Sequence, residues 1–280
     1  MLRSMWSGVS GLRAHAQRMD VIANDIANIN TTGYKQSDVT FKEQLVTTIR
    51  APSAGSAGEQ IGLGVQVGQI ARNFSDGVVT QTSVASNAAI AGRGFFTVAD
   101  TSGNRFYTRA GDFMHDLDTA AADGSFFLIN SSGMRLQGVN DAAPIAAGGV
   151  AVATMTDVIV PAGTVSYTIG ENGTMTCYDA ASAVLGTWQI GLAQFANNNG
   201  LKSEGSNLYT FTTAADVTEM AYQGGTDGAG QLYQGYLEAS NVDLSQEFTE
   251  MILTERGFQA NSRSITTGDE MIQELLSLKR

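Results

Sequence analysis

The feature that most restricts how this chain can fold is a pair of heptad-spaced apolar stripes, one at each end. Over the first thirty residues Leu2, Met5, Val9, Leu12, Ala16, Met19, Ala23 and Ile26 alternate steps of three and four. That spacing places side chains in one seam of a supercoiled helix. Trp6, Ile22 and Ile29 widen the stripe. Near the other end Met251, Phe258, Ile265 and Ile272 are each seven apart, and Leu244, Phe248 and Leu276 continue the same face. The stripes predict one helix over 2–30 and another that starts from Asn241, a candidate N-cap. The first is longer than the mean globular helix of about 11–12 residues. The two are expected to pair as a coiled coil, with further burial against copies of the same chain. Gly8 and Gly11 cost about 1 kcal/mol each against Ala, so they are read as marking a face that a neighbour approaches closely.

Between the helices the pattern changes. Thr31-Thr32-Gly33 ends the first helix, with Gly33 as a left-handed cap. Residues Tyr34 to about Ile49 are expected to form an extended arm or short helix, and Ala51 to Gly58 a flexible loop. Strand signals dominate from about Leu63 to Thr213, including Phe95-Phe96-Thr97-Val98, Arg105-Phe106-Tyr107-Thr108, Val158-Ile159-Val160, Val165–Ile169 and Trp188–Phe195. Turn signals separate them at Ser102-Gly103-Asn104, Asp123-Gly124, Glu171-Asn172-Gly173 and Asn197–Gly200. With 32 glycines and 3 prolines, the chain suits many tight turns. The fold class expected is α+β: N- and C-terminal helices paired as a coiled coil, with a central antiparallel all-β domain. Residues 1–35 and 241–280 would make a discontinuous helical domain, 36–80 a connecting arm and loop, and 81–240 the β-domain.

Composition excludes several functions. A net charge of −11 argues against nucleic acid, whose backbone is bound by Lys and Arg. No apolar run approaches the roughly 20 residues that span a bilayer, so no membrane insertion is expected. Cys177 is the single cysteine, which rules out an intrachain disulfide. The start lacks the apolar core and cleavage site of a secretory signal, implying a cytoplasmic chain or an unusual export route. His15 and His115 have no second ligand at metal spacing, so neither a metal nor a cofactor is expected. Gly62-Leu63-Gly64 and Gly92-Arg93-Gly94 lack the context of a dinucleotide fingerprint and read as turns. Asp112, Asp116, Asp118 and Asp123 read as a solvated turn, without the rest of a calcium loop. No catalytic residue is assigned. Two alternatives from other classes stay open. A β-rich glycan hydrolase on a helical stalk would need a cleft with two carboxylates about 5–10 Å apart. An adhesin on a stem would need an exposed aromatic platform.

Five motifs, in order along the chain, carry a resemblance. Ala23-Asn24-Asp25-Ile26-Ala27-Asn28-Ile29-Asn30-Thr31-Thr32-Gly33-Tyr34-Lys35, followed by Phe41, closely resembles the N-terminal signature of bacterial flagellar axial proteins, the rod and hook subunits. Ala89 to Val98, Tyr107 to Phe113, Leu232 to Val242 and Glu247 to Arg280 resemble the family's later markers. The residues matching the first signature are Asn24, Asn28, Asn30, Gly33, Tyr34, Lys35 and Phe41. The closing run, with Arg256-Gly257-Phe258-Gln259-Ala260-Asn261-Ser262, looks most like short hook proteins, so a subunit of the flexible hook is the expected function. A distal rod subunit is the alternative, since Leu232 to Val242 fits it equally and Thr48-Ile49-Arg50-Ala51-Pro52 has a rod-like flavour.

The resemblance implies an inner helical layer, an outer β-domain and a helical homopolymer. The implied partners are copies of itself, the adjoining rod, hook-filament junction and hook-cap proteins, and the export apparatus. The implied location is the extracellular hook and basal body, reached by type III export without a cleaved signal. Residues 36–80 are where the difference between a sliding hook and a stiff rod is expected to be written.

Overall fold

The first stripe folds into a helix, α1 (Leu2–Ala27), which ends at Ala27 rather than Asn30. Its last turn tightens to an i→i−3 bond from the Ile29 N–H to the Ile26 carbonyl at 3.4 Å. The Asn28 side-chain amide donates to the Asn24 carbonyl at 2.8 Å. The first bond occupies a carbonyl that a helix end would leave unpaired, and the second adds to the Asn24 carbonyl, which also accepts the Asn28 N–H at 3.1 Å. The computed structural model describes residues 2–50, 58–117, 124–140, 145, 149–216 and 219–278. The expected loop at 51–58 therefore lies outside the described residues, apart from Gly58. So do Asp118, Asp123 and the side chain of Leu2.

The chain divides into two units. Met1–Ile29, Gln36–Asn73 and Val242–Arg280 make a helical unit, and Asn30–Lys35 with Phe74–Asn241 make a β-unit. In the helical unit the second stripe forms α2 (Leu244–Leu278). Its cap is Asp243, not Asn241: Asp243 Oδ1 accepts the Ser245 N–H at 2.8 Å. The Asn241 side chain instead donates to Ser75. The two helices run antiparallel, with Met5 beside Gly268, Gly8 beside Ile265, Gly11 beside Asn261 and His15 beside Gly257.

The expected arm is a two-stranded ribbon. Strand β1 (Ser37–Glu43) runs into β2 (Val46–Arg50), and β3 (Glu59–Gly62) runs into β4 (Val65–Arg72). β1 pairs with β4, from Ser37↔Arg72 to Glu43↔Val65, and β2 pairs with β3 from Val46↔Gly62 to Arg50↔Glu59. The Leu63 N–H to Leu45 carbonyl bond (2.8 Å) bridges the two ladders. The base of the ribbon packs on α1, where Phe41 meets the His15 ring edge-on at 5.5 Å between centroids.

In the β-unit every named strand pairing is antiparallel, as the turn spacing predicts. Phe95–Ala99 is central: Arg105–Thr108 lies on one edge, with Leu192–Gln194 and Arg135–Asn140 in succession along the other. Alternate side chains of a strand face opposite ways. Thus Phe96 and Val98 enter one core with Leu128, Leu136, Met175 and Ile190, while Phe95 enters a second with Tyr107, Val152 and Tyr209. The turns at Gly103 and Gly173 close where expected, each through a 2.8 Å main-chain bond to the residue three before it.

Candidate functional site

Within the β-unit the first signature meets three later markers around one carboxylate. Tyr236–Glu238 pairs with Val79–Gln81, and the Glu238 side chain at its end is sealed from solvent, as is that of Lys35. Glu238 Oε1 accepts Lys35 Nζ at 2.6 Å and the Gly77 N–H at 2.9 Å. Its other oxygen lies 3.3 Å from buried Arg109. Lys35 donates a second bond to the Ser75 carbonyl at 2.7 Å. Arg109 donates to the Gly92 carbonyl at 2.8 Å and stacks over Phe95, 5.3 Å from the ring centroid. Half-exposed Asp76 stands 3.6 Å from the same guanidinium. Burial pulls the Lys35 ammonium below its ordinary pKa, and the neighbouring Glu238 charge opposes the shift.

Gly33 explains why the signature needs glycine. Its φ is +66° and its N–H donates to the Glu238 carbonyl at 2.8 Å. A Cβ there would come within 2.6 Å of the Ala110 nitrogen. Two demands, a left-handed backbone and close backbone approach, exclude other residues. One residue earlier, the Thr32 carbonyl accepts from the Asn207 side chain at 2.8 Å.

The helical unit has a second buried polar cluster, built on Asp25 and Glu247. Asp25 accepts the Ser37 N–H at 3.1 Å, and Gln36 donates to Glu247. Arg18 pairs with Glu250 at 3.0 Å. Burial, with the Asp25 and Glu250 charges adding to it, pushes the Glu247 carboxyl above the ordinary range.

Only part of the heptad set forms the contact between the two helices of one chain: Met5 lies against Gly268 and Ile265 against Gly8. The buried face of α1 carries Gly8, Gly11, Ala14, Ile22 and Asp25, and that of α2 Glu247, Thr254 and Gly268. Of the seam as predicted, Met5, Val9, Leu12, Met19, Ile26, Met251, Ile265 and Ile272 are half-buried along its flanks. Ala16, Ala23, Leu244, Phe248, Phe258 and Leu276 are exposed, as are Trp6, Ile252, Leu253 and Leu275. The physical reason is approach distance. A Cβ on Gly11 would sit 2.8 Å from the Asn261 amide, and one on Gly257 would sit 2.6 Å from His15. The glycine face admits the partner helix closely and the bulky face cannot. Among the signature residues, Asn24 and Asn28 bond each other across the last turn of α1. Tyr34 is buried beside Lys35, and Asn30 is exposed.

Little here supports reaction chemistry. A groove of about 710 Å³ in the β-unit is lined by Val84, Asp112, Met114, His115, Val165 and Tyr167 among others. Asp112 is its one carboxylate, and the hydrolase reading needs two. His115 Nε2 lies 3.0 Å from the Tyr167 hydroxyl. Cys177 is buried, and burial pushes its thiol up to about 11, where little reactive thiolate exists. Among the described residues no cluster of three or more metal-ligating side chains occurs.

Sequence comparison adds the following. Three family profiles match the chain: "Flagella basal body rod protein" over residues 5–35, "Flagellar hook protein FlgE/F/G D1 domain" over 89–177, and "Flagellar basal body rod FlgEFG protein C-terminal" over 233–278. A "Flagellar basal-body rod protein FlgG" of Bacillus subtilis (strain 168) is 40% identical over 287 residues, covering 100% of both chains. The protein of that name from Buchnera aphidicola subsp. Acyrthosiphon pisum is 33% identical, covering 99% of this chain and 100% of the other. A solved Helicobacter pylori flagellar hook protein FlgE2 aligns with 72% of this chain and 56% of its own, at 11% identity and a TM-score of 0.23.

Proposed function

The chain belongs to the family of bacterial flagellar axial proteins, the rod and hook subunits, and on that premise we propose that it is a subunit of the distal rod of the basal body. It is a structural protein and not an enzyme. The observation that carries the rod reading is the end-to-end 40% identity to a protein named for the rod. This favours the rod alternative over the expected hook subunit. That expectation leaned on the closing run from Glu247, and the profile matching this run is shared by the E, F and G members. A shared segment cannot separate hook from rod.

Assembly follows from what one subunit leaves uncovered. Phe248, Ile252, Leu253, Phe258, Leu275 and Leu276 on α2 and Trp6 on α1 face solvent in the single chain. Each well-buried side chain of this size contributes about 1.5–3 kcal/mol. Covering them against sister helices would offset the cost of ordering both ends. In this reading the heptad seam is the contact between subunits, with a coiled-coil layer completed in the polymer, and the glycine face joins the two helices of one chain. Repeated head-to-tail contacts build a helical tube, meeting adjoining axial proteins at its ends.

The ribbon supports rod over hook. Leu45, Val46, Ile49 and Ile61 are exposed near its outer end, and a two-stranded ribbon is marginal alone in water. Such side chains find cover on a neighbouring subunit, which would stop outer contacts from sliding and keep the tube straight. Electron microscopy of polymers grown from the purified chain tests this. Straight tubes are expected, and bent ones would return the chain to the hook. Met19→Asp and Phe258→Asp should abolish polymers while leaving the β-unit folded; full-length tubes from either variant would remove the seam from the account.

A further inference from the structure

We propose that the groove of about 710 Å³ in the β-unit takes up an extended, basic segment of a partner polypeptide as an added strand. Two sheet edges form its rims. Among the described residues Met114–Leu117 pairs with Phe126–Ile129 alone, and Ser166–Ile169 with Thr174–Tyr178 alone. Met114 and His115 from the first edge and Ser166 and Tyr167 from the second line the groove. His115 Nε2, 3.0 Å from the Tyr167 hydroxyl, joins the two rims. Along an edge strand alternate residues turn their N–H and C=O away from the ladder, where an incoming strand can pair with them. The second edge is already partly occupied: the Gln234 side chain accepts the Ile169 N–H at 2.9 Å and donates to the Tyr167 carbonyl at 3.0 Å. The first carries no proline, lysine or arginine, the residues that guard a free edge, and all four of its side chains are exposed.

Charge fixes the chemistry of the occupant. The groove is lined by one carboxylate, Asp112, and by no lysine or arginine. Asp112 Oδ1 meets no hydrogen-bond partner, and burial pushes the carboxyl above its ordinary range. Asp116 adds a second negative charge on the rim, on the same face of its strand as Met114. A lysine ammonium carried in by the segment would give Asp112 the donor it lacks and favour its charged form. An acidic segment would set like charges together instead. Val84, Met114 and Val165, exposed in the single chain, offer cover for apolar side chains, while main-chain hydrogen bonds hold the added strand. A segment alternating apolar and basic residues thus matches both the rim and the floor. The inference does not depend on the rod reading.

The probe is a labelled octapeptide in which valine alternates with lysine, added to the full chain. It should bind and slow the hydrogen exchange of Met114–Leu117. Two further peptides separate the arguments. Glutamate in place of lysine tests charge, and methylation of every second backbone nitrogen tests strand addition at unchanged charge. Both should bind roughly tenfold or more weakly than the parent peptide. Asp112→Asn and Asp116→Lys should weaken the lysine peptide by a similar factor. Glu171→Gln, which removes a charge from an exposed site of the β-unit outside the groove, should not. The proposal is overturned if the glutamate or methylated peptide binds as tightly as the parent, or if exchange of Met114–Leu117 is unchanged. It is equally overturned if Glu171→Gln weakens binding as much as Asp112→Asn, or if the lysine peptide fails to bind. That last result holds where a second copy of the chain covers the groove, which sedimentation would show as self-association abolished by Asp116→Lys. Should Asp112→Asn fail to fold, Asp116→Lys, at an exposed position, decides.

Discussion

Glu238→Gln isolates the charge at the centre of the β-unit. Glutamine keeps the volume and an oxygen for the Gly77 N–H, now 2.9 Å away. It removes the anion from between Lys35 at 2.6 Å and Arg109 at 3.3 Å. The one remaining carboxylate beside them is Asp76, half-exposed and 3.6 Å from Arg109. At an effective dielectric constant of about 20, each lost attraction is roughly 5–6 kcal/mol gross. Rehydration of what can move recovers much of that, and removing one partner of a buried pair costs about 3–5 kcal/mol. The lower end applies to the extent that the flexible Lys35 stem carries its ammonium toward water, because buried Arg109 cannot follow. For a domain of this size the loss corresponds to roughly 6–20 °C in melting temperature. Adding Lys35→Met to Glu238→Gln removes one stranded cation, so the double variant should be more stable than the sum of the singles by about 1–2 kcal/mol. Urea unfolding followed by Trp188 fluorescence reads the β-unit, in a Trp6→Phe background that silences the other of the 2 tryptophans. A loss below about 1 kcal/mol for Glu238→Gln, or strict additivity, would refute the reasoning.

Other consequences can be measured in the helical unit. Burial holds the Glu247 proton above the ordinary carboxylate range, so the folded unit binds more protons than the unfolded chain across that window and its stability falls as pH rises through it. Glu247→Gln is expected to stabilise the unit at neutral pH and to flatten that fall; circular-dichroism melts from acid to neutral pH check both, and a destabilised variant contradicts them. In the β-unit, Gly200→Ala places a methyl 2.4 Å from the Ala214 backbone carbon, which has no side chain to swing aside, and should cost about 1–3 kcal/mol of β-unit stability; an unchanged β-unit melt would mean that the backbone there yields without cost. Ile49→Ser with Ile61→Ser changes two exposed positions of the ribbon, so subunit stability should stay within about 0.5 kcal/mol while the tubes lose straightness or fall apart. Unaltered straight tubes in micrographs would detach the ribbon from the rod's stiffness.

The periodicity of the chain was enough to announce two long terminal helices and an antiparallel β-region between them, because local spacing decides which face of each element is apolar. It also marked Gly8 and Gly11 as a crowded face, and the five motifs pointed to the flagellar axial family. Three things waited for the fold. The ribbon made by 37–50 and 58–72 read as an arm or short helix, a loop and then the first strand signals from Leu63, since its apolar residues have too little alternation to show that its two halves pair. How the two stripes meet was only partly legible: Met5 and Ile265 do face glycines of the opposite helix, but hydrophobicity locates a greasy surface, while backbone approach, set by glycines on both helices, selects the face that closes within a single chain. The meeting of Lys35, Arg109 and Glu238 lay beyond reach of the sequence altogether. Residues separated by some two hundred positions, as Lys35 and Glu238 are, share a site only when strand pairing brings them there, and no local rule distinguishes a lysine bound for the interior from one left in water.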